Sequence, residues 1–329
     1  MASRRHRTDV LVVGSGPVGS TLGAELARHG VDRTFAEIDG PRGDDGVDGP
    51  VPPPGRLDAV AVDDDGVRAR VTDPRTGDLV EVTADYLVAC DGVTFPAAPG
   101  SAGRPVDVRP RQGRLFHCGL AHSAPTADGL PGGVGDELGV GVGDAVNLAW
   151  KLAAAVHGWA GDGLLDSYAE ERRPVAGVGD GPPGPHRYRS AVIADDEPVT
   201  DPSDETRPGL RAPNVPLAPG LSTRDLTGPG FTLLRLSDPW SPRADVPHPP
   251  GVPALRAAFA AAGVPLTVAD CRDAEAARRY RQPLVLLRPD GYVAWRGSRP
   301  PRDPASLVDL VRGATHCPVA AGSPVPVGV

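Results

Sequence analysis

The chain alternates between segments of regular apolar spacing and segments with almost none. An unbroken apolar run, Val10 to Val13, leads into a helix-like stretch that ends at Gly30. A second short apolar run closes on Glu37. From residue 57 the period becomes two. Leu57 to Val62, Val67 to Thr72 and Leu79 to Thr83 are separated by Asp-Gly and Thr-Gly turns, which predicts a meander of short strands. Tyr86 to Ala89 and Leu115 to Cys118 are further strand candidates. Helical periodicity then governs 142–159, with Val146, Ala149, Leu152, Ala153 and Val156 on one face. A second helix from Leu164 to Arg173 is expected to stop at Pro174.

After a stretch rich in Pro, Gly and acids, the pattern restarts. Phe231 to Leu236, Leu266 to Ala269, Leu284 to Leu287 and Tyr292 to Trp295 read as strands. Pro253 to Ala262, Ala274 to Arg281 and Pro304 to Arg312 read as helices, and a Pro-Asp-Gly turn joins the last two strands. That βαβαββα order is a small second α/β domain. The expected organisation is an N-terminal tail (1–7), a first domain (8–176) with irregular loops at 39–56, 94–112 and 123–143, a linker (177–212), a second domain (213–313) and a disordered tail (314–329).

Gly14, Gly16 and Gly19 stand between the first apolar run and the first helix. This is the spacing of a strand–turn–helix–strand unit that holds the ADP half of a dinucleotide. Gly14 permits the tight turn, Gly16 lets the backbone approach a pyrophosphate, and Gly19 lets the helix pack near the strand. Pro17 opens the helix, whose N-terminal amides and dipole favour phosphate. Glu37, at the end of the second strand, is placed to accept ribose hydroxyls.

Composition narrows the partners. Net charge is −8, with 34 Lys and Arg against 42 Asp and Glu, which argues against a nucleic-acid scaffold. The basic run Arg4–Arg7 reads as a frayed, solvated end. No stretch has the length of a membrane helix, and no secretory h-region stands before a cleavage site. Cys90, Cys118, Cys271 and Cys317 have no C-x-x-C spacing and read as free thiols of a cytoplasmic protein. Gly (42) and Pro (39) make up close to a quarter of the chain, concentrated between the patterned segments, so a true core interrupted by long loops is expected. There is no G-x-S-x-G, H-E-x-x-H or P-loop, and His117, Cys118 and His122 sit too close to one strand end to suggest a metal site. No catalytic side chain and no metal ligand are assigned.

Three further segments carry a resemblance. GRLFHCGLAHSAP (113–125) and GDAVNLAWKLAAAVHGWAGDGLLDSYAEERRPVA (143–176), with ADYLVACDG (84–92), resemble the flavin-binding part of the FAD-dependent aromatic hydroxylases, the monooxygenases of phenols and polyketides. RPGLRAPNVPL (207–217), STRDLTGPGFTLLRL (222–236) and QPLVLLRPDGYVAWRG (282–297) are similar to the thioredoxin-like domain at the C-terminus of many such enzymes. The resemblance implies a Rossmann-like FAD-binding domain, reduced by loss of most of the substrate-binding sheet, followed by a thioredoxin-like α/β domain.

It further implies FAD as cofactor, NADPH as reductant, molecular oxygen and a small aromatic substrate, with hydroxylation of a phenolic or polyketide ring as the reaction. A homodimer through the C-terminal domain is a further implied partner. Carried over by position, Gly14, Gly16, Pro17, Gly19 and Glu37 hold the ADP part of FAD. Asp91 and Gly92 match an Asp-Gly motif, and Gly119 and Pro125 match the loop beside the ribityl chain and ring. The helix starting near Val142 aims its N-terminus at the flavin.

The chain also departs from the family. Leu120 stands where an aspartate grips the ribityl hydroxyls, no Gly-x-Asn signature occurs in 132–144, and aromatic content is 4%. Segments 39–56 and 94–112 are shorter than in relatives. The alternative reading is therefore a catalytically impaired, shortened relative that acts only by binding a nucleotide or a partner. Glu170, Glu171, Arg172 and Arg173 read as a charged helix end, and the second domain, without a cysteine pair, as a scaffold.

Overall fold

The computed structural model describes residues 4–38, 55–63, 65–90, 106–108, 114–118, 134–176, 187–194, 204–239 and 251–315. Its first half is built on strands β1 (Arg4–Arg7), β2 (Val10–Val13), β3 (Arg33–Glu37), β4 (Gly55–Asp63), β5 (Gly66–Thr72), β6 (Leu79–Ala84), β7 (Tyr86–Ala89), β8 (Val106–Val108) and β9 (Leu115–His117). Helices α1 (Pro17–Arg28), α2 (Val134–Val156) and α3 (Asp166–Ala176) complete it. Among the described residues the strands form one sheet in the order β1-β6-β5-β4-β3-β2-β7-β9, with β8 against β4.

The run β3-β2-β7-β9 is parallel throughout, in register Val10↔Arg33, Val10↔Tyr86 and Leu87↔Leu115. Its centre, Val10–Val13, is an unbroken apolar run because both its faces are covered. Val10 and Val12 pack with Leu22 and Leu26 of α1 and Leu148 and Leu152 of α2. Leu11 and Val13 pack with Val60, Val67 and Val82 of the antiparallel meander β4-β5-β6.

The meander holds the expected spans, and three other segments differ from expectation. Arg4–Arg7 is not a frayed end but an edge strand paired parallel to Val80–Thr83, its four residues exposed. Arg and His at an open edge are compatible with this, since charge there discourages further pairing. Helix α2 does not start near Val142 but eight residues earlier, running through the glycine-rich stretch that periodicity could not mark as helical. Helix α3 carries Pro174 inside its last turns and ends at Ala176, because a proline near a helix end interrupts few bonds.

The second half holds a short hairpin, β10 (Pro216–Ala218) with β11 (Leu221–Ser222), and a four-stranded sheet. That sheet joins β12 (Phe231–Ser237), β13 (Leu266–Arg272), β14 (Leu284–Leu287) and β15 (Val293–Gly297) in the order β13-β12-β14-β15. β12 and β13 are parallel, and β14 is antiparallel to β12 and β15. Helices α4 (Val252–Ala261), α5 (Ala274–Tyr280) and α6 (Pro304–Val311) connect or follow these strands, which gives the thioredoxin-like topology.

One hydrophobic cluster spans both halves. Trp150, Ala154, Trp159 and Leu164 pack with Phe231, Leu233, Phe259, Leu286 and Val308. The Trp150 and Trp159 rings stack 6.3 Å apart, and Phe231 meets Trp150 edge-on at 5.9 Å. Backbone bonds Gly161 N–H to Arg312 C=O (2.6 Å) and Gly163 N–H to Gly313 C=O (2.9 Å) tie the loop after α2 to the end of α6. Within 177–212, Tyr188 and Val192 are buried, so this stretch also contributes to the core.

Candidate functional site

The site begins where β2 ends. Gly14 has φ +99°, a conformation that side chains rarely adopt, and its N–H donates to Ala36 C=O at 2.9 Å. The chain then turns through Ser15 into Gly16, the N-cap of α1, which has no side-chain cap. Pro17 occupies the first helical position, so an amide that could not be paired anyway is simply missing. A Cβ at Gly19 would lie 1.9 Å from Gly14 C=O, so only glycine lets the helix approach the turn this closely. Glu37, at the end of β3, receives the Ser15 N–H on Oε1 at 2.5 Å. The carboxylate thus braces the turn with one oxygen and keeps acceptor capacity on the other.

These five residues, Gly14, Gly16, Pro17, Gly19 and Glu37, are brought together as one cradle. The donor set fits the ADP half of a dinucleotide: uncapped first-turn amides for phosphate, and a carboxylate for ribose. The adjacent parallel strands end on the same edge. Cys90 N–H donates to Val13 C=O (2.8 Å) and Cys118 N–H to Ala89 C=O (2.9 Å). Asp91 and Gly92 follow Cys90 in sequence, and Gly119 follows Cys118. These residues and Pro125 lie outside the described residues. Cys90 and Cys118 are themselves buried core residues, and the Tyr168 hydroxyl donates to His117 C=O at 2.6 Å.

A second constellation lies between the two halves, and sequence reasoning missed it. Glu171 is not part of a solvated helix end. It is fully buried, receiving Arg288 on both oxygens (Nη1–Oε1 2.6 Å, Nη2–Oε2 2.9 Å) and Lys151 Nζ at 2.9 Å. Asn147 Nδ2 also donates to Glu171, at 2.7 Å. Asp290 pairs with Arg288 from the Pro-Asp-Gly turn and accepts Trp150 Nε1 at 3.2 Å. Arg172 is likewise buried, bonded to Asp144 at 2.6 Å.

Burial alone would push the Glu171 carboxyl up. The Arg288 and Lys151 cations overcome it and hold it well below the usual range. Burial pulls Lys151, the only lysine of the chain, down to about 8 against the attraction of Glu171. Arg288 stays charged, held well above its ordinary value by Asp290 and Glu171 despite burial. The Glu-Glu-Arg-Arg run reads as surface in the sequence because charge is usually solvated. The one sequence hint is the single lysine of the chain, Lys151, standing beside Trp150 within an otherwise apolar stretch of helix.

The chain has relatives along most of its length. The family model described as FAD binding domain matches residues 7–40, 54–99 and 103–178, and the model for the aromatic-ring hydroxylase C-terminal domain matches 205–315. Tetracenomycin A2 monooxygenase-dioxygenase of Streptomyces glaucescens is 36% identical over 258 residues, covering 63% of this chain and 45% of that one. Aklavinone 12-hydroxylase of Streptomyces purpurascens is 34% identical over 247 residues, covering 61% and 43%. The chain therefore spans less than half the length of these curated relatives. Among solved structures, the substrate-free rebeccamycin biosynthetic enzyme RebC superposes with a TM-score of 0.72 at 26% identity, over 96% of this chain and 100% of that one. Aklavinone-11 hydroxylase, solved with FAD and aklavinone, shares the fold with a TM-score of 0.62 at 22% identity, over 93% and 99%.

Proposed function

The chain belongs to the FAD-dependent aromatic-ring hydroxylases, and on that basis we propose that it binds FAD and uses NADPH and molecular oxygen to hydroxylate a phenolic or polyketide ring. The observation that carries this reading is the cradle of Gly14, Gly16 and Gly19 with Glu37 braced against Ser15. When bound, FAD supplies the redox chemistry, taking electrons from the nicotinamide and activating oxygen. The protein's part is placement. The first-turn amides of α1 receive the pyrophosphate, and the free Glu37 oxygen receives the ribose hydroxyls. Asp91, Gly92, Gly119 and Pro125, which lie outside the described residues, are the further FAD contacts in this reading. The two-sided burial of β2 keeps the cradle rigid.

No described helix is long and apolar enough to cross a membrane. The test is the absorbance spectrum of the purified protein with and without added FAD, followed by NADPH oxidation in the presence of a polyketide phenol. Bound flavin and substrate-stimulated oxidation are expected. Colourless protein that takes up no FAD at saturation overturns the proposal. Bound flavin without stimulated oxidation reduces it to nucleotide binding.

A further inference from the structure

The first half of α2 is poorly equipped to hold itself together. Gly135, Gly139, Gly141 and Gly143 all fall within its first ten residues. Each glycine in a helix interior costs about 1 kcal/mol relative to alanine. Something outside the helix must therefore fix it, and Arg172 of α3 is placed to do so. Its Nη2 donates to Val140 C=O at 3.0 Å and its Nε to Asp144 Oδ1 at 2.6 Å, both on α2. The guanidinium occupies a notch that only glycine leaves open, since a Cβ at Gly143 would lie 2.7 Å from Nη2.

The third bond of Arg172 leads to the other half of the molecule. Nη1 donates to the Tyr188 hydroxyl at 2.7 Å. Tyr188 stacks on Tyr292 with ring centroids 4.2 Å apart, and the Arg288 guanidinium lies 5.4 Å from its centroid. The Tyr188 backbone is fixed too. Its N–H donates to Gly209 C=O at 2.8 Å, and Gly209 N–H donates to Val293 C=O of β15 at 2.8 Å. A continuous series of contacts thus runs from the β14–β15 turn and the start of β15 through Tyr188 and Arg172 to residues 140–144 of α2.

From this we infer that the C-terminal domain is a positioning element for the first half of α2, with Tyr188 and Arg172 as the positioning residues that transmit its hold. This gives a role to a thioredoxin-like domain whose one described cysteine, Cys271, is buried, its thiol pushed up by burial and by Asp273. The consequence for cofactor binding rests on the function proposed above and on the family resemblance, which implies that this helix lies beside the flavin. The consequence for the helix itself does not.

The test is amide hydrogen exchange on the full chain, comparing Tyr188→Phe, Arg172→Met and Arg172→Lys with the unmodified protein. Tyr188→Phe keeps the ring stack and removes only the hydroxyl, so the fold is retained. Exchange of amides 138–146 is expected to rise at least tenfold in Tyr188→Phe and more in Arg172→Met, with partial recovery in Arg172→Lys. Amides of β2 and of 147–156 are expected to keep their protection. FAD affinity, followed by flavin fluorescence, is expected to fall about tenfold in Tyr188→Phe. Unchanged exchange at 138–146, or equal acceleration everywhere, overturns the inference. Failure of the unmodified chain to take up FAD overturns the functional reading and leaves the exchange result to be judged alone.

Discussion

Arg288, the residue after β14, holds both carboxylate oxygens of Glu171 on α3, with all these atoms buried where the two halves meet. Fork-to-fork geometry of this kind is the strongest form of the pair, and Lys151 and Asp290 bring the local charge to balance. Balance is what makes burial tolerable, so removing one member should be far more harmful than removing a surface pair. Glu171→Gln and Arg288→Met are each expected to lower stability by about 3–5 kcal/mol, read from urea denaturation. The double variant is expected to lose less than the sum of the two, since neither charge is then left alone. Full additivity would show that the pair is not coupled.

The same meeting surface contains an acid-sensitive group. His29, at the end of α1, is lowered to about 4 by burial first and by Arg28 and His157 after that, while Asp290 and the Pro229 carbonyl pull the other way. The unfolded chain has His29 near 6.5, so below that pH it binds a proton the folded chain refuses. Stability from this group is fully present above 6.5 and is lost as pH falls toward 4. The loss is expected to reach about 2 kcal/mol once its partial exposure is discounted. Replacing His29 with Asn should flatten the stability profile between pH 6.5 and 4. A profile that keeps its slope would place the acid sensitivity elsewhere.

The shared core argues that the halves unfold together. Trp150 belongs to α2 yet packs on Phe231 of β12 and Trp159, and a Cβ at Gly161 would lie 2.3 Å from Ala314 N. Trp150→Ala is expected to cost about 3–5 kcal/mol by opening a cavity in this cluster. Gly161→Ala should also destabilise, since backbone, not a flexible side chain, blocks it. Calorimetry of the unmodified chain is expected to show one transition that both substitutions lower. Two transitions, only one of them shifted, would separate the domains energetically.

Legibility differed by the physics behind each feature. The glycine turn could be read because sterics tie it to particular residues: Gly14 needs positive φ, and Gly19 admits no Cβ. The meander and the second α/β unit could be read because their apolar period matches their element. The start of α2 at Val134 could not, since glycines carry no apolar period and the helix there depends on Arg172 from another element. The Glu171 cluster was hidden for a related reason. Its members lie far apart in sequence, and only the packing of α2 and α3 against the β14–β15 turn tells a buried charge from a solvated one. Arg4–Arg7 pairs with a strand 76 residues away, which no local pattern announces.

The nucleotide cradle gives the sharpest prediction. Gly19→Ala places a methyl group 1.9 Å from Gly14 C=O, and that neighbour is backbone, so the turn itself must move. Leu22 and Leu26 still anchor the rest of α1 in the core, so the fold is expected to survive with a displaced turn. Glu37→Gln acts differently. It keeps an oxygen to receive the Ser15 N–H but loses the charge that favours ribose hydroxyls. ADP titrated by calorimetry should therefore bind about tenfold more weakly in Glu37→Gln, about 1.4 kcal/mol, and not measurably in Gly19→Ala. The order of the two effects carries the argument, because it separates a blocked approach from a weakened contact. ADP binding as strong in Gly19→Ala as in the unmodified chain would mean that the phosphates do not lie over this turn.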